Sequence, residues 1–408
     1  MIQSVINFPS QAVSDIEKMS HEYGEKVAKA IRKEWFDGTT NKFEGNINNF
    51  HKLRLYARGE QSIQKYKNEL SINGDLSYLN LDWKPVPIIP KFVDIVVNGM
   101  AQRNYEINCF SQDAYGVSKR TEYMESMLRD MRTREFNEMA RTTFDIDLYE
   151  NRPDKLPDTE EELALHMQLT YKQSVELAEE QALNVLMEGS DYELIRKRCL
   201  YDLTTLGIGA TRTTFDWADG ARVKYVDPAN LVYSYTESPY FEDMYYVGEV
   251  KEIPINELVK EFPELTEEDV EEITEKSGQA EFSRTNYKTS TDKNRIEVLY
   301  FNYKTHAHDV YKLKKTSSGA DKVIQKDDTF NPPKNKDGEY SKLERVVEVL
   351  YEGVYIIGCQ KLLKWEMASN MMRSDSDFSR VKMNYQIVAP RMYKGKIESI
   401  VGRITGFA

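Results

Sequence analysis

After Gly207 the apolar pattern of this chain changes period, and no other feature narrows the fold as much. Upstream, apolar residues recur every three or four positions, as on helices; downstream they alternate, as on strands. Helices gathered in one half and strands in the other predict an α+β protein built from hairpins and small antiparallel sheets, not an alternating parallel sheet.

The helical half opens with residues 10–36, where Val13, Ile16, Tyr23, Val27, Ala30 and Ile31 approximate a 3.6-residue period and Gly38 supplies a stop. The polar stretch DGTTNKFEGNINNF reads as a connection, and residues 48–70 as helix again. The clearest stripe follows: Phe92, Ile95, Val96, Gly99 and Met100, with Pro90 where a first helical turn tolerates proline. Tyr105, Ile107 and Cys109 alternate, which predicts a strand over Asn104 to Cys109. A long helix is expected from Ser118 to Thr143, ended by Pro153 and Pro157. Thr159 with Glu162 forms a capping box for a helix running to Gly189, and Ser190 or Asp191 caps the next, which carries Leu194, Ile195, Leu200 and Leu203.

The second half begins with a hairpin, ATRTTFDW and ARVKYV around Asp219-Gly220, broken at Asp227-Pro228. Residues 245–251 read as a strand, followed by short helices around Leu258 and Val270, the latter capped by Thr266 and Asp269. IEVLYFNYK, DVYKLK, RVVEVLYEG and VYIIG then read as four strands, with a polar connection over residues 315–340. In the closing KGKIESIVGRITGFA, Ile397, Ile400, Val401, Ile404 and Phe407 share one helical stripe that the chain leaves unfinished, so a longer protein is expected.

The chain has 408 residues and a formal charge of −12, which counts against a protein built to grip nucleic acid tightly but not against one that must let DNA slide past. The acidity is concentrated: Asp154 to Glu193 holds 11 acids and 2 bases, and Glu264 to Glu281 holds 8 acids and 1 base. Between Arg380 and Arg403 the balance reverses, with Arg380, Lys382, Arg391, Lys394, Lys396 and Arg403 against Glu398 alone. Solvated helix faces account for such runs, and surfaces sorted by sign for docking or for repelling a polyanion do so too. Cys109, Cys199 and Cys359 are odd in number and far apart, as free thiols in a reducing compartment would be. The amino terminus lacks a basic and apolar leader, and no stretch approaches the roughly 20 apolar residues of a membrane span.

Motifs for catalysis are wanting. There is no P-loop, GxSxG elbow or HExxH helix, and Gly207 and Gly209 read as a turn. His306 and His308 stand two apart and would share a face of a strand, as a metal pair or simply as exposed polar residues. Asp145 with Asp147, or Glu160 to Glu162, has the carboxylates a Mg²⁺-dependent nuclease needs, although acids in a first helical turn also complement the helix dipole. The 26 tyrosines point towards an assembly, because tyrosine is enriched at interfaces.

Several segments, in order, resemble portal proteins of tailed double-stranded DNA phages. They are WKPVPIIPKFVDIVVNGMAQRNYEINCFSQD; CLYDLTTLGIGATRTTFDW with ARVKYVDPANLVYS; YYVGEVKEIPINELVKEFP; and YIIGCQKLLKWEMASNMMR with YQIVAPRMYKGKIESIVGRI. The wording is most similar to portals of crAss-like phages. The resemblance implies a portal fold, with residues 1–77 an N-terminal helical wing region, 78–290 an α+β wing core with its hairpin near 210–226, 291–395 a β-rich wing region and 396–408 the start of a stem helix. It implies a twelve-subunit ring at one capsid vertex of the virion, assembled in the host cytoplasm, without enzymatic activity, cofactor, metal or membrane. Its partners would be the major capsid protein, terminase, head-tail connector or tail proteins, and double-stranded DNA passing through the channel. Arg391, Lys394, Lys396 and Arg403 are the candidates for facing that channel or a docking partner. A Mg²⁺-dependent DNA-processing enzyme and a monomeric scaffolding or adaptor protein are the alternatives.

Overall fold

A computed structural model describes residues 8–36, 42–60, 88–102, 105–151, 156–216, 220–279, 295–315, 321–331, 340–374 and 376–404. In chain order the first helices are α1 (Asp15–Met19), α2 (His21–Trp35), α3 (Lys42–Ala57), α4 (Ile88–Ala101), α5 (Ala114–Arg132), α6 (Arg134–Phe144), α7 (Glu160–Leu169), α8 (Ser174–Gly189) and α9 (Tyr192–Thr205). Strands β1 (Gly209–Asp216), β2 (Gly220–Val226), β3 (Leu231–Tyr233) and β4 (Tyr246–Pro254) precede α10 (Ile255–Glu261) and α11 (Glu267–Gln279). Then come β5 (Arg295–Lys315), β6 (Asp321–Lys326), β7 (Tyr340–Ile356), β8 (Lys361–Met367), β9 (Met372–Ser374), β10 (Asp377–Lys382), β11 (Tyr385–Val388), β12 (Met392–Tyr393), β13 (Lys396–Ile397) and α12 (Ile400–Ile404). The protein is mixed α and β, its sheets antiparallel. Two units pack separately: Met1–Gln102 with Glu193–Ala408, and Arg103–Tyr192.

The first unit is organised by a sheet of order β3-β4-β5-β7-β8, with β6 paired to the far end of β5, and by a smaller sheet β11-β1-β2. Alternation along β5 sends Leu299, Phe301 and Tyr303 into a core completed by Tyr23, Val27, Ile31 and Trp35 of α2 and by Tyr351, Tyr355 and Trp365. The Trp365 ring stacks on Tyr351 at 4.9 Å, and its indole N–H donates to the Lys18 carbonyl at 2.9 Å. Burying an aromatic ring with its polar edge satisfied is what makes such a position stabilising.

IEVLYFNYK and DVYKLK form one continuous strand, β5, and RVVEVLYEG and the start of VYIIG form another, β7. Gly353 reads as a break in sequence, yet a Cβ there would lie 2.3 Å from the Phe301 ring. The glycine therefore makes room for an aromatic instead of ending the strand.

Other expectations shift at boundaries. The 10–36 helix is divided by Ser20, whose hydroxyl accepts from the Tyr23 N–H and restarts the chain as α2. Residues 42–50, expected as a connection, are helical because Phe43, Ile47 and Phe50 reach the core at helical spacing. The helix expected over 118–143 is two helices meeting at Thr133, and the one expected over 159–189 is α7 and α8, the second opened by a Gln173–Glu176 capping box. The hairpin of β1 and β2 and the Thr266–Asp269 cap of α11 are as expected. Residues 61–70, the Pro-rich entry over 78–87, Asn104, residues 152–155 of the expected break, Asp219, residues 316–320 and 332–339 with their Pro-Pro pair, and Phe407 lie outside the described residues, whereas residues 321–326, expected as part of a polar connection over 315–340, form β6 against the far end of β5.

The second unit has a small core of Met127, Leu156, Leu163 and Met167, beside which Tyr123 and Tyr171 stack at 4.3 Å. The expected strand over Asn104 to Cys109 is no strand in residues 105–109. Its neighbours are glutamates: the Cys109 N–H donates to Glu180 at 3.0 Å and the Ser111 N–H to Glu176 at 2.9 Å, so helix α8 side chains take bonds a sheet partner would take.

Candidate functional site

The four basic residues singled out from sequence fall on two elements. Residues 392–397 are not helical: β12 and β13 pair through Met392–Ile397 and Tyr393–Lys396, joined by the two-residue turn Lys394-Gly395. Both turn residues have positive φ, 47° and 72°, the requirement of a tight hairpin connection. Ile397 thus belongs to a strand and not to the expected helical stripe, which is kept only over Ile400, Val401 and Ile404 in α12. The physical reason is the Lys-Gly turn, a local signal that overrides a stripe starting only at its far side.

The hairpin brings Arg391, Lys394 and Lys396 to one exposed finger, with the Lys394 ammonium 5.5 Å from the ring of exposed Tyr393. Arg403 lies beyond, on α12, where its guanidinium is 3.8 Å from Glu398. Structure therefore unites three of the four candidates and leaves Arg403 paired with an acid of its own segment. A basic, partly aromatic finger attracts polyanions or acidic surfaces at long range.

Its base is rigidly held. The Glu398 N–H closes onto the Arg391 carbonyl at 3.0 Å, and the Ser399 hydroxyl accepts from the Gly402 N–H at 2.7 Å, capping α12. Val401 is buried among Ala57, Ile89, Val93 and Val97. Gly207, with φ +84°, faces the Glu398 carbonyl so closely that a Cβ would lie 2.4 Å from the oxygen. The glycine that marks the change of period is thus also the seat of the chain's last described turn.

Next to it, the Asp227-Pro228 motif explains itself. Arg54 donates to both Asp227 oxygens, at 3.0 and 2.7 Å, and to Asp202 at 3.2 Å; the Tyr225 hydroxyl also donates to Asp202. Asp227 further accepts the Ala229 N–H, opening the one-turn 3-10 helix Pro228–Asn230. Burial pushes the Asp202 carboxyl above its ordinary range, against the pull of Tyr225 and Arg54. The cluster ties α3, α9 and β2 together and is a structural joint.

The residues considered for metal chemistry are placed elsewhere. His308 lies 3.0 Å from Glu344 through Nδ1 and His306 is exposed on β5. Asp145 ends α6 with φ 55°, Asp147 accepts the Tyr149 N–H, and Glu160, Glu161 and Glu162 occupy the first turn of α7. Among the described residues no three His, Cys, Asp or Glu side chains stand together as a metal site. The three cysteines are free, and burial pushes the Cys199 thiol up to about 11. A groove of about 540 Å³ is lined by Tyr240, Lys304, Glu348, Arg380, Lys382 and Tyr385, but Lys304 faces Glu348 at 3.8 Å and Arg380 faces Asp377 at 3.4 Å.

The tyrosines divide between core and surface. Tyr246, Tyr303, Tyr351 and Tyr355 are among the largest fully buried side chains, while Tyr115, Tyr235, Tyr240 and Tyr393 are 65 % to 70 % exposed. Tyr246 donates to Glu34 at 2.6 Å and accepts from the Trp35 indole at 3.0 Å, and the Tyr303 hydroxyl accepts from the Gln11 amide at 3.1 Å, which satisfies these two buried hydroxyls. What sequence reading missed is the surface left bare. Phe92, Ile95, Val96 and Met100 are exposed on α4, Phe136 and Met139 on α6, and Val175, Leu177, Leu183 and Val185 on α8. The signal was present in the α4 stripe, whose apolar residues cover more of the helix than one buried face needs.

Compared with models of known protein families and with curated proteins, the sequence matches none of either.

Proposed function

We propose that this chain is one subunit of a portal ring in a tailed double-stranded DNA phage. In this reading it forms the conduit for DNA packaging and ejection at one capsid vertex and the platform for terminase and tail attachment. The reading rests on the order of the segments that resemble portal proteins. The observation that carries it in the structure is α4, which buries Ile89, Val93 and Val97 on one side and exposes Ile88, Phe92, Ile95, Val96 and Met100 on the other. Exposed apolar surface on that scale marks a face that another protein covers. A net charge of −12 suits a conduit that must not hold phosphates. No helix among the described residues is long and apolar enough to cross a membrane.

On this reading the mechanism is mechanical. A separate motor drives the DNA, and the ring supplies a rigid passage and docking surfaces, with the Arg391, Lys394 and Lys396 finger meeting either DNA or an acidic partner. Electron microscopy of the purified full-length protein tests the proposal: closed rings are expected, and single particles of one chain would overturn it. Plasmid nicking that requires Mg²⁺ and copurifies with the chain would favour a DNA-processing enzyme instead.

A further inference from the structure

We infer that the finger of Arg391, Lys394 and Lys396 and the neighbouring loop 234–243 form one docking surface, whose partner is an acidic segment of another protein and not a nucleic acid. The inference rests on the reading of the finger as a docking element and chooses between its two partners.

Contacts within the first unit join finger and loop. The Ala389 N–H donates to the Pro239 carbonyl at 2.9 Å. A Cβ on Gly395 would lie 2.8 Å from the Tyr235 ring, so the Lys394-Gly395 turn rests against the loop. Further along the loop, Tyr240 lines the groove of about 540 Å³ together with Arg380, Lys382 and Gln386. Finger, loop and groove thus run on from one another, and they display Tyr235, Tyr240 and Tyr393, each 65 % to 70 % exposed.

The loop holds its shape without a partner. The Thr236 hydroxyl donates to Asp243, the Ser238 N–H to the Thr236 hydroxyl at 3.1 Å, and the Tyr245 N–H to the Ser234 hydroxyl at 3.1 Å. Phe241 has a φ of 56°, which a bulky side chain seldom adopts. Burial keeps it there: its ring is 2 % exposed and meets Tyr233 edge-on at 5.3 Å. Backbone strain of this kind collects at recognition sites, and rigid segments that present tyrosine lose little conformational freedom on binding.

Charge decides the partner. Arg380, Lys382, Arg391, Lys394 and Lys396 are all exposed. Arg380 faces Asp377 at 3.4 Å, and among the described residues no acid pairs with the other four. The acids of the loop are engaged from their own side, Glu237 by the Tyr235 hydroxyl at 2.6 Å and Asp243 by Thr236. Unpaired cations set among fixed carboxylates fit a partner that places its own acids at chosen points. A nucleic acid carries a phosphate at every nucleotide, which would bring phosphates onto Glu237, Glu242 and Asp243 of a chain already at −12. Tyrosine and arginine are also the residues that carry most of the binding energy at protein–protein contacts.

The test measures fluorescence anisotropy of labelled probes with the full chain at low salt. The probes are a short peptide repeating Glu-Glu-Phe, its Lys-Lys-Phe counterpart, oligothymidine of the same length and a short DNA duplex. The Glu-Glu-Phe peptide is expected to bind, the Lys-Lys-Phe peptide not to bind, and both nucleic acids to bind more weakly than the first. Lys382→Glu with Lys396→Glu should weaken the acidic peptide by about tenfold or more, and Tyr393→Ala by about fivefold, with melting temperatures unchanged. The comparison of probes on wild type decides the partner even where a variant is less stable. Nucleic acid bound more tightly than the acidic peptide, no binding of that peptide, or binding that both variants leave unchanged would each overturn the inference. Closed rings seen by electron microscopy would leave the portal reading standing in all three cases, and chains that stay single would overturn that reading alone.

Discussion

Arg54 is the cation of the joint that seats β1 and β2 on α3 and α9, and replacing it with methionine isolates what that charge does. In the native protein its guanidinium bonds twice to Asp227 and once to Asp202, whose carboxylate is 2 % exposed. Methionine keeps the apolar stem but leaves Asp202 buried beside Asp227 with only the Tyr225 hydroxyl for support. Breaking a buried pair from one side costs about 3–5 kcal/mol, and because Arg54 is a quarter exposed the lower end applies, about 3 kcal/mol. The cost must depend on pH. Burial already raises the Asp202 carboxyl, and losing Arg54 raises it further. Between the unfolded value near 4 and that raised value, the folded state holds the extra proton, so stability falls as pH rises through the window and the whole penalty is felt above it. Arg54→Met should therefore lose about 3 kcal/mol at pH 8 and clearly less at pH 5, and Asp202→Asn in the same chain should restore part of the loss at pH 8. Urea unfolding followed by tryptophan fluorescence reads this directly, since all four tryptophans lie in the first unit. A loss below 1 kcal/mol at pH 8, or the same loss at both pH values, would refute the reasoning.

Gly207→Ala sets a Cβ against the Glu398 carbonyl at a φ of +84°, so it should cost about 3 kcal/mol and lower the melting temperature of the first unit; an unchanged melting curve would show that the segment after Lys396 is not seated there. Asp269, held by the Lys361 ammonium and the Thr266 hydroxyl and amide at a pKa of about 2, contributes stability that is present above pH 4 and lost as pH falls towards 2. Asp269→Asn should lower stability at neutral pH, flatten the acid-unfolding curve between pH 4 and 2, and leave the pH dependence above 4 unchanged. If the proposed portal function holds, the exposed pair Lys394→Glu with Lys396→Glu should leave the melting temperature within about 1 °C while changing DNA packaging or ring assembly, and an unchanged phage yield would dissociate the finger from that function.

The parts of this fold that were legible in sequence are those fixed by short-range chemistry. Alternation on both sides of Asp219-Gly220 sufficed for the β1–β2 hairpin, and Thr266 with Asp269 for the start of α11. What was not legible depends on distant partners. Gly353 interrupts a strand pattern locally, and only the Phe301 ring lying over it shows why the strand continues. Residues 105–109 alternate as a strand should, but Glu176 and Glu180, some 70 residues on, take the amides near their end. The basic site was legible as a charge run, whereas its shape was not: Lys394-Gly395 was a turn signal overshadowed by the apolar stripe that follows. Which tyrosines are buried was not legible, because composition says nothing about burial: Tyr246, with Glu34 and Trp35 on its hydroxyl, belongs to the core, while Tyr115 and Tyr393 are exposed.

The central proposal is that this chain is one structural subunit of a closed ring of identical copies. Native mass spectrometry of the full-length protein tests it most directly. The account predicts a single closed oligomer of high, fixed subunit number, and a spectrum showing only one chain at micromolar concentration would contradict it.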